Sequence, residues 1–590
     1  MPVRLLRRDA RGDLEELGRR PEGGDAPLPS GDDWFAEPID RGLSADEARA
    51  LVASLARHRV PGLSLRGSDE LEAGAIAALA DASHWQMLDL SASSITDAMV
   101  ASLSEARALR QLHLADTGVT DAALAELAAL SALEAIDLSR TEVSGPGLQT
   151  LCGLSRLRAL GLASTAVRDE DLACAREHPS LAVLDLADTR VTDAGAKIVA
   201  SLPALAELHL TRTRVGDAGL AALCERTNSL EALYLGQTAV TAEGALCLRA
   251  QAALRELELA GTSVGDELVA ALAELSELTL LDLSATAITD GAAPALAELS
   301  ALEAINLART GVGDDALEAL AGLPALEFID AAATRATSAG VGYLEGRDAL
   351  VFLELGGTEV DDDGLAPIAT LASLTWLGLA DTRVSDAAGE HLRALGELET
   401  LDLRKTAVGD GAMVDIAELT ALSSLYLSYA DITDAGIGAL APLDGLEVLH
   451  LDGTAVGDPA VATLAGLARL TELSLGHTAI RDVGRLSALA ALETLVLSSL
   501  PVTDHELARL AGLPRLHTLD VGGSSITDAG LEALFALPRL AVLAINHTAI
   551  TDTGAGVLAR LPRLEVVHAG GSAIGEVGMA TLESRGITLR

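Results

Sequence analysis

Aromatic residues are nearly missing from this chain, which has four Phe, four Tyr and three Trp in 590 residues. A core built around large rings is therefore excluded, and Leu, Ala and Val must supply the burial. Cysteine is equally scarce. Cys152, Cys174, Cys224 and Cys247 form no CxxC pair, which argues against a zinc or thioredoxin-type motif and suits reduced structural thiols in helical segments. Lysine is the third absence, limited to Lys197 and Lys405, within a net charge of −44. Such a surface repels nucleic acid and anionic membranes and favours a basic protein or peptide, while also keeping a long Leu-rich array soluble. No apolar run approaches the roughly 18 residues of a membrane span. The basic start MPVRLLRRDARGDLEELGRR lacks the apolar core of a Sec signal. A cytoplasmic protein is expected, with secretion by a route that needs no such signal left open.

What is present is a repeat. Residues 109–132, LRQLHLADTGVTDAALAELAALSA, show the unit most cleanly, and its first apolar position recurs at 21 registers from Trp85 to Leu564. The spacing is 24 residues, except for one step of 25 (205 to 230) and one of 22 (470 to 492). Such a period means a solenoid whose coils bury apolar surface only by stacking on each other. In each unit L-x-x-L-x-L alternates as a short strand, and a helical run follows. Asp121 and its equivalents, Asp in 17 of 21 registers, stand where a helix N-cap is expected. A calcium ladder is disfavoured, because each coil offers one such carboxylate and capping explains it.

In chain order, residues 1–33 read as a charged lead without stable structure, with a transient helix near 11–20. Residues 34–59 read as a helical cap: Trp34 and Phe35 form an anchor, Ser44 and Glu47 have capping-box spacing, and Leu51, Val52 and Leu55 give an apolar stripe. Residues 60–590 are the array, with Ile587 and Leu589 starting one more strand at its end.

The pattern LxxLxLxxTxVTDAGLxxLAxL resembles the leucine-rich repeat, and stretches such as Ile432-Thr433-Asp434-Ala435-Gly436 resemble the subclass of F-box-associated and bacterial GALA-type repeats. The resemblance implies an α/β solenoid of about 21–22 coils: a right-handed horseshoe with a parallel sheet on the concave face and short helices on the convex face. Where most such repeats carry Asn, this chain carries Thr in 16 registers, and its hydroxyl is expected to bond the adjacent coil.

No nucleophile–base pairing, zinc-ligand spacing or phosphate loop occurs, so no catalytic residue, metal or cofactor is expected. The scattered His include His113, His209, His450 and His568 at one outward strand position, too far apart to share a ligand. Recognition has a better signal. The third and fifth strand positions, 42 residues in all, should point outward, and chance would put about one of the 11 aromatics there (42/590 × 11). Five occur: Tyr234, Phe328, Phe352, Trp376 and Tyr426. Phe328, Phe352 and Trp376 hold one slot in three successive coils and should stack. Tyr429 lies just beyond, and Asp330, Glu354, Asp402, Arg404 and Lys405 flank the strip. Ala331, Ala336, Ser338 and Ala430 break the repeat in the same region. These residues are the expected protein-binding surface of a non-enzymatic, monomeric scaffold. The alternatives are an adaptor in protein turnover or a structural array without a specific ligand.

Overall fold

The computed structural model describes residues 3–8, 14–20, 34–38, 45–57, 60–68, 71, 76, 85–176, 178–226 and 229–590. They form two compact units, Met1–Ala287 and Ile288–Arg590.

The first unit begins with β1 (Val3–Arg8), antiparallel to both β2 (Leu14–Arg20) and β3 (Trp34–Pro38). This corrects the expected lead without structure and its helix near 11–20. The charge that suggested disorder serves cross-strand pairing: Leu6 is buried opposite Phe35, and Arg4 pairs with the Glu37 carboxylate beside it. Residues 21–33, Ser44 of the expected capping box and the Trp34 side chain lie outside what is described. Helix α1 (Ala45–Arg57) buries Leu51, Val52 and Leu55, and β3 then runs parallel to β4 (Gly62–Ser64).

From Met87 onward each coil adds a three-residue parallel strand in register with the last, as in Gln111–His113 beside Ala135–Asp137. Leu109, Leu112, Leu114, Leu124, Leu127 and Leu130 are wholly buried, and removing each from water contributes on the order of 2 kcal/mol. Short α- or 3₁₀-helices close the coils, such as Asp121–Leu127. The second unit repeats this scheme from Ala304–Asn306 to Thr588–Leu589, where the additional strand expected at Ile587–Leu589 pairs with Val566–His568. Ala331 and Ala336 replace larger residues there yet are fully buried.

Two polar fixtures act differently from expectation. The Thr hydroxyl bonds within its own coil: Thr117 Oγ1 donates to Leu114 O at 2.6 Å, and Thr141 to Leu138 O likewise. The residue before it is left-handed in every coil that carries the turn, for example Asp116 (φ 58) and Arg140 (φ 56), which folds the Thr side chain back on its own strand.

The Asp is the first helical residue, and the N-cap is the Thr before it. Thr120 Oγ1 accepts from Ala122 N at the start of Asp121–Leu127. The carboxylate instead reaches forward to the N-cap of the following coil. Asp169 accepts from Thr192 N (2.8 Å), Thr192 Oγ1 (2.6 Å) and Gly195 N (3.0 Å). Asp410 does the same with Thr433 N, Thr433 Oγ1 and Gly436 N. This accounts for the Gly of the TDAG motif, since a Cβ on Gly195 would stand 2.5 Å from Asp169 Oδ1 and one on Gly436 2.4 Å from Asp410 Oδ1. At two of the four registers without the Asp, the next coil compensates. After Gly145, Asp171 caps its own helix at Arg168 N (2.9 Å), and after Ser338 the N-cap position becomes Asp361, bonded to the Ser338 hydroxyl.

The cysteines are also not free thiols. Cys152 bonds Cys174 and Cys224 bonds Cys247, with Cα separations of 5.8 and 6.0 Å. Each bridge joins the helical side of one coil to that of the next. Both use the same two positions of the repeat, which is why spacing along the chain (22 and 23 residues) hid the pairing.

Candidate protein-interaction face

The sheet of the second unit positions the aromatic strip. Phe328, Ile329 and Asp330 pair in register with Phe352, Leu353 and Glu354, and these with Trp376, Leu377 and Gly378. The middle residue of each strand is buried in the core, so the first and third face outward. The rings consequently stack: Phe328 on Phe352 at 4.0 Å between centroids and 11° between planes, and Phe352 on Trp376 at 5.3 Å and 17°. All three are only half-buried.

Glu354 ties the strip to its surroundings. Its carboxylate accepts from Trp376 Nε1 (3.3 Å) and Gly356 N (2.8 Å) and leans across Gly378, where an added Cβ would collide with it. Burial raises its pKa above the ordinary value of 4.5, the bonds from Gly356 and Trp376 oppose this, and Asp330 and Asp402 add repulsion. Other carboxylates at the third position of a strand, in both units, are also locally engaged. Asp137, Asp185, Asp330 and Asp520 each accept from the backbone N–H two residues on.

On the following coils Asp402 is almost fully buried and receives Arg404 through Nε (2.9 Å to both oxygens) and Nη2 (2.5 Å). That bond holds the Arg404 guanidinium more firmly in its charged form. The same guanidinium sits 5.5 Å from the Tyr426 ring, which meets His450 edge-on at 4.9 Å, and His450 Nε2 lies 2.7 Å from Glu472. Tyr429 is 55% exposed.

The second unit thus gathers Phe328, Phe352, Trp376 and Glu354 into one group and Asp402, Arg404, Tyr426 and His450 into another. Tyr234 belongs to the first unit, where it stacks on His209 at 4.1 Å and donates to Glu256. Burial, then the bond to Glu256, pushes its hydroxyl well above the usual range. His450 as a member of the second group is not announced by the sequence, although its shared slot with Tyr426 could have suggested it. Among the described residues no cluster of His, Cys, Asp or Glu could hold a metal ion, and no helix is long and apolar enough to cross a membrane.

The Leucine Rich repeat family model matches residues 203–224, 419–441 and 513–535. Each match spans one strand and the helix after it, and the same coil recurs through both units. Three coils thus match the leucine-rich repeat, and the chain folds as a leucine-rich-repeat solenoid. Among solved structures it is similar to the plant peptide hormone receptor RGFR1 in complex with RGF2 (16% identity, 91% of this chain and 88% of that one, TM-score 0.41). It is similar also to the mouse RP105/MD-1 complex (17%, 81% and 90%, 0.46) and to the internalin InlF of Listeria monocytogenes (16%, 76% and 93%, 0.27). No curated protein matches it.

Proposed function

We propose that this protein is a non-enzymatic, monomeric interaction scaffold that binds a protein or peptide on the sheet face of its second unit. One observation carries the reading: in a chain with only 11 aromatics, three of them form stacked, half-buried rings on adjacent strands. Exposed aromatics beside charged groups are the usual composition of binding hot spots. Asp330, Glu354 and Asp402 beside the rings favour a ligand with basic side chains, in keeping with the net charge. A role as an adaptor in protein turnover rests on the resemblance to F-box-associated and GALA-type repeats alone.

Location is a separate question. The Cys152–Cys174 and Cys224–Cys247 bridges support maturation in an oxidising compartment, in place of the cytoplasmic location expected above.

The test is affinity capture with wild type beside a Phe328/Phe352/Trp376 triple-alanine variant. Truncating a hot spot costs about 2 kcal/mol or more, roughly 30-fold in affinity, so a bound partner should be lost. Circular dichroism should stay unchanged, because the inward Ile329, Leu353 and Leu377 are untouched. Equal recovery of the same proteins by both variants would end the proposal and leave the structural-array alternative.

A further inference from the structure

A groove of about 560 Å³ opens in the second unit beside the strand ends. Arg404, Lys405, His450 and His477 are four of its ten lining residues. The chain's 42 Lys and Arg plus 12 His, spread over 590 residues, would place about one among ten. In a chain of net charge −44 the groove is locally balanced, Arg404 and Lys405 offsetting Asp381 and Asp452 with the two imidazoles beside them.

The groove is built from the left-handed row of the repeat. Lys405 (φ 56), Tyr429 (φ 61) and His477 (φ 57) occupy that position in three coils, and Gly453 occupies it in the coil between the last two. A Cβ at Gly453 would meet Tyr429 Cδ1 at 2.4 Å, so the glycine lets the exposed ring lie flat across the next coil. That ring lines the groove between the Lys405 ammonium and the His477 imidazole.

The acids present are partly engaged. Asp452 accepts from Ser428 Oγ (3.1 Å), Ser474 Oγ (2.6 Å) and Gly476 N (3.0 Å), and Asp381 stands at the Lys405 end. Arg404 is held by Asp402, whereas the Lys405 ammonium has no ion pair among the described residues.

We propose that this groove binds an oxyanion, the carboxylate or phosphoryl group of the ligand segment whose apolar part rests on the Phe328–Phe352–Trp376 stack. The proposal rests on the reading of that face given above. It adds an anchor of opposite charge: Lys405 supplies the point charge, His477 supplies a ring N–H donor, and Tyr429 supplies a flat wall, while His450 is held by Glu472. One fixed oxyanion sets the register of a segment that the stacked rings, being apolar, leave free to slide.

The chain's only two lysines make the test direct. The full-length protein is acetylated with a water-soluble N-hydroxysuccinimide ester, and labelling of Lys405 and Lys197 is followed by peptide mass spectrometry. Sodium acetate, inorganic phosphate or sodium chloride is present at matched ionic strength. An oxyanion at twice its dissociation constant should slow Lys405 about threefold relative to chloride, with Lys197 unchanged. His477→Gln and Tyr429→Ala should restore the chloride rate. Protection by acetate assigns a carboxylate, and protection by phosphate alone assigns a phosphoryl group. Equal labelling in all three salts, or equal slowing of Lys197, overturns the proposal. Because the probes are free ions, that failure is separate from the triple-alanine result, which reads the strip alone.

Discussion

The forward reach of the aspartates can be tested by a reversal of sign. Asp410 accepts three bonds from the next coil: from Thr433 N at 2.9 Å, Thr433 Oγ1 at 2.5 Å and Gly436 N at 2.9 Å. Losing a capping carboxylate costs about 0.5–2 kcal/mol, and with three charge-assisted bonds Asp410→Ala should fall near the upper end, at about 2 kcal/mol. Gly436→Ala has two opposed effects. Alanine favours the helix by about 1 kcal/mol over glycine. Its Cβ, however, would stand 2.4 Å from Asp410 Oδ1 and displace the carboxylate, so the single variant should be destabilised by about 1 kcal/mol. In the Asp410→Ala background the main obstruction is gone, leaving Met413 Cγ at 3.0 Å and the Cα of residue 410 at 3.3 Å. There Gly436→Ala should stabilise by up to about 1 kcal/mol. The cycle therefore predicts a coupling of about 2 kcal/mol. Long arrays do not unfold in one step, so the measurement should be local: hydrogen exchange at the amides of 433–437, where about 2 kcal/mol is roughly 30-fold in protection. Additivity within about 0.5 kcal/mol would refute the steric account of the motif's glycine.

Reduction of the disulfides should lower the stability of the first unit and leave the second unchanged. Loops of 22 and 23 residues correspond to about 3 kcal/mol per bridge in the chain-entropy model, seen as a fall in the urea midpoint with a phosphine reductant. Native protein whose four thiols all react in denaturant without reductant would contradict the bridges. Glu354 offers a pH test. Its folded pKa is raised, so the protonated form favours the fold: the contribution is complete below the ordinary value of 4.5 and is lost as pH rises through the shifted value. Glu354→Gln should flatten that part of the stability–pH curve, and an unchanged slope would remove Glu354 as its source.

The repeat and the aromatic strip were legible because both follow from strict periodicity. Inward Leu at fixed intervals sets which side of each strand is buried, so Phe328, Phe352 and Trp376 had to share a face. What stayed hidden depends on contacts between coils. A sequence shows Asp121 at a helix start, but not that its carboxylate points to Ser144 on the following coil (2.8 Å to N, 2.6 Å to Oγ). Nor does a sequence show that the glycine of the TDAG motif leaves room for the carboxylate of the coil before it, as Gly195 does for Asp169. The cysteines were read by separation along the chain, whereas bonding depends on shared position in neighbouring coils. The strand at Leu14–Arg20 was missed because a short charged segment paired to β1 reads, in one dimension, like a solvated tail.

The direction of the aspartate reach has a consequence for how such a chain can lengthen. Each block of 24 residues carries both a hand extended to the block after it and a socket for the hand of the block before. A whole block can be duplicated or excised and the new junction still closes, whereas an insertion of partial length leaves one hand empty and one socket open. The step of 25 residues keeps its grip because the extra residue leaves Asp217 still grasping Thr241 N, whereas at the step of 22 Asp482 takes Gly484 N and the Arg509 guanidinium instead.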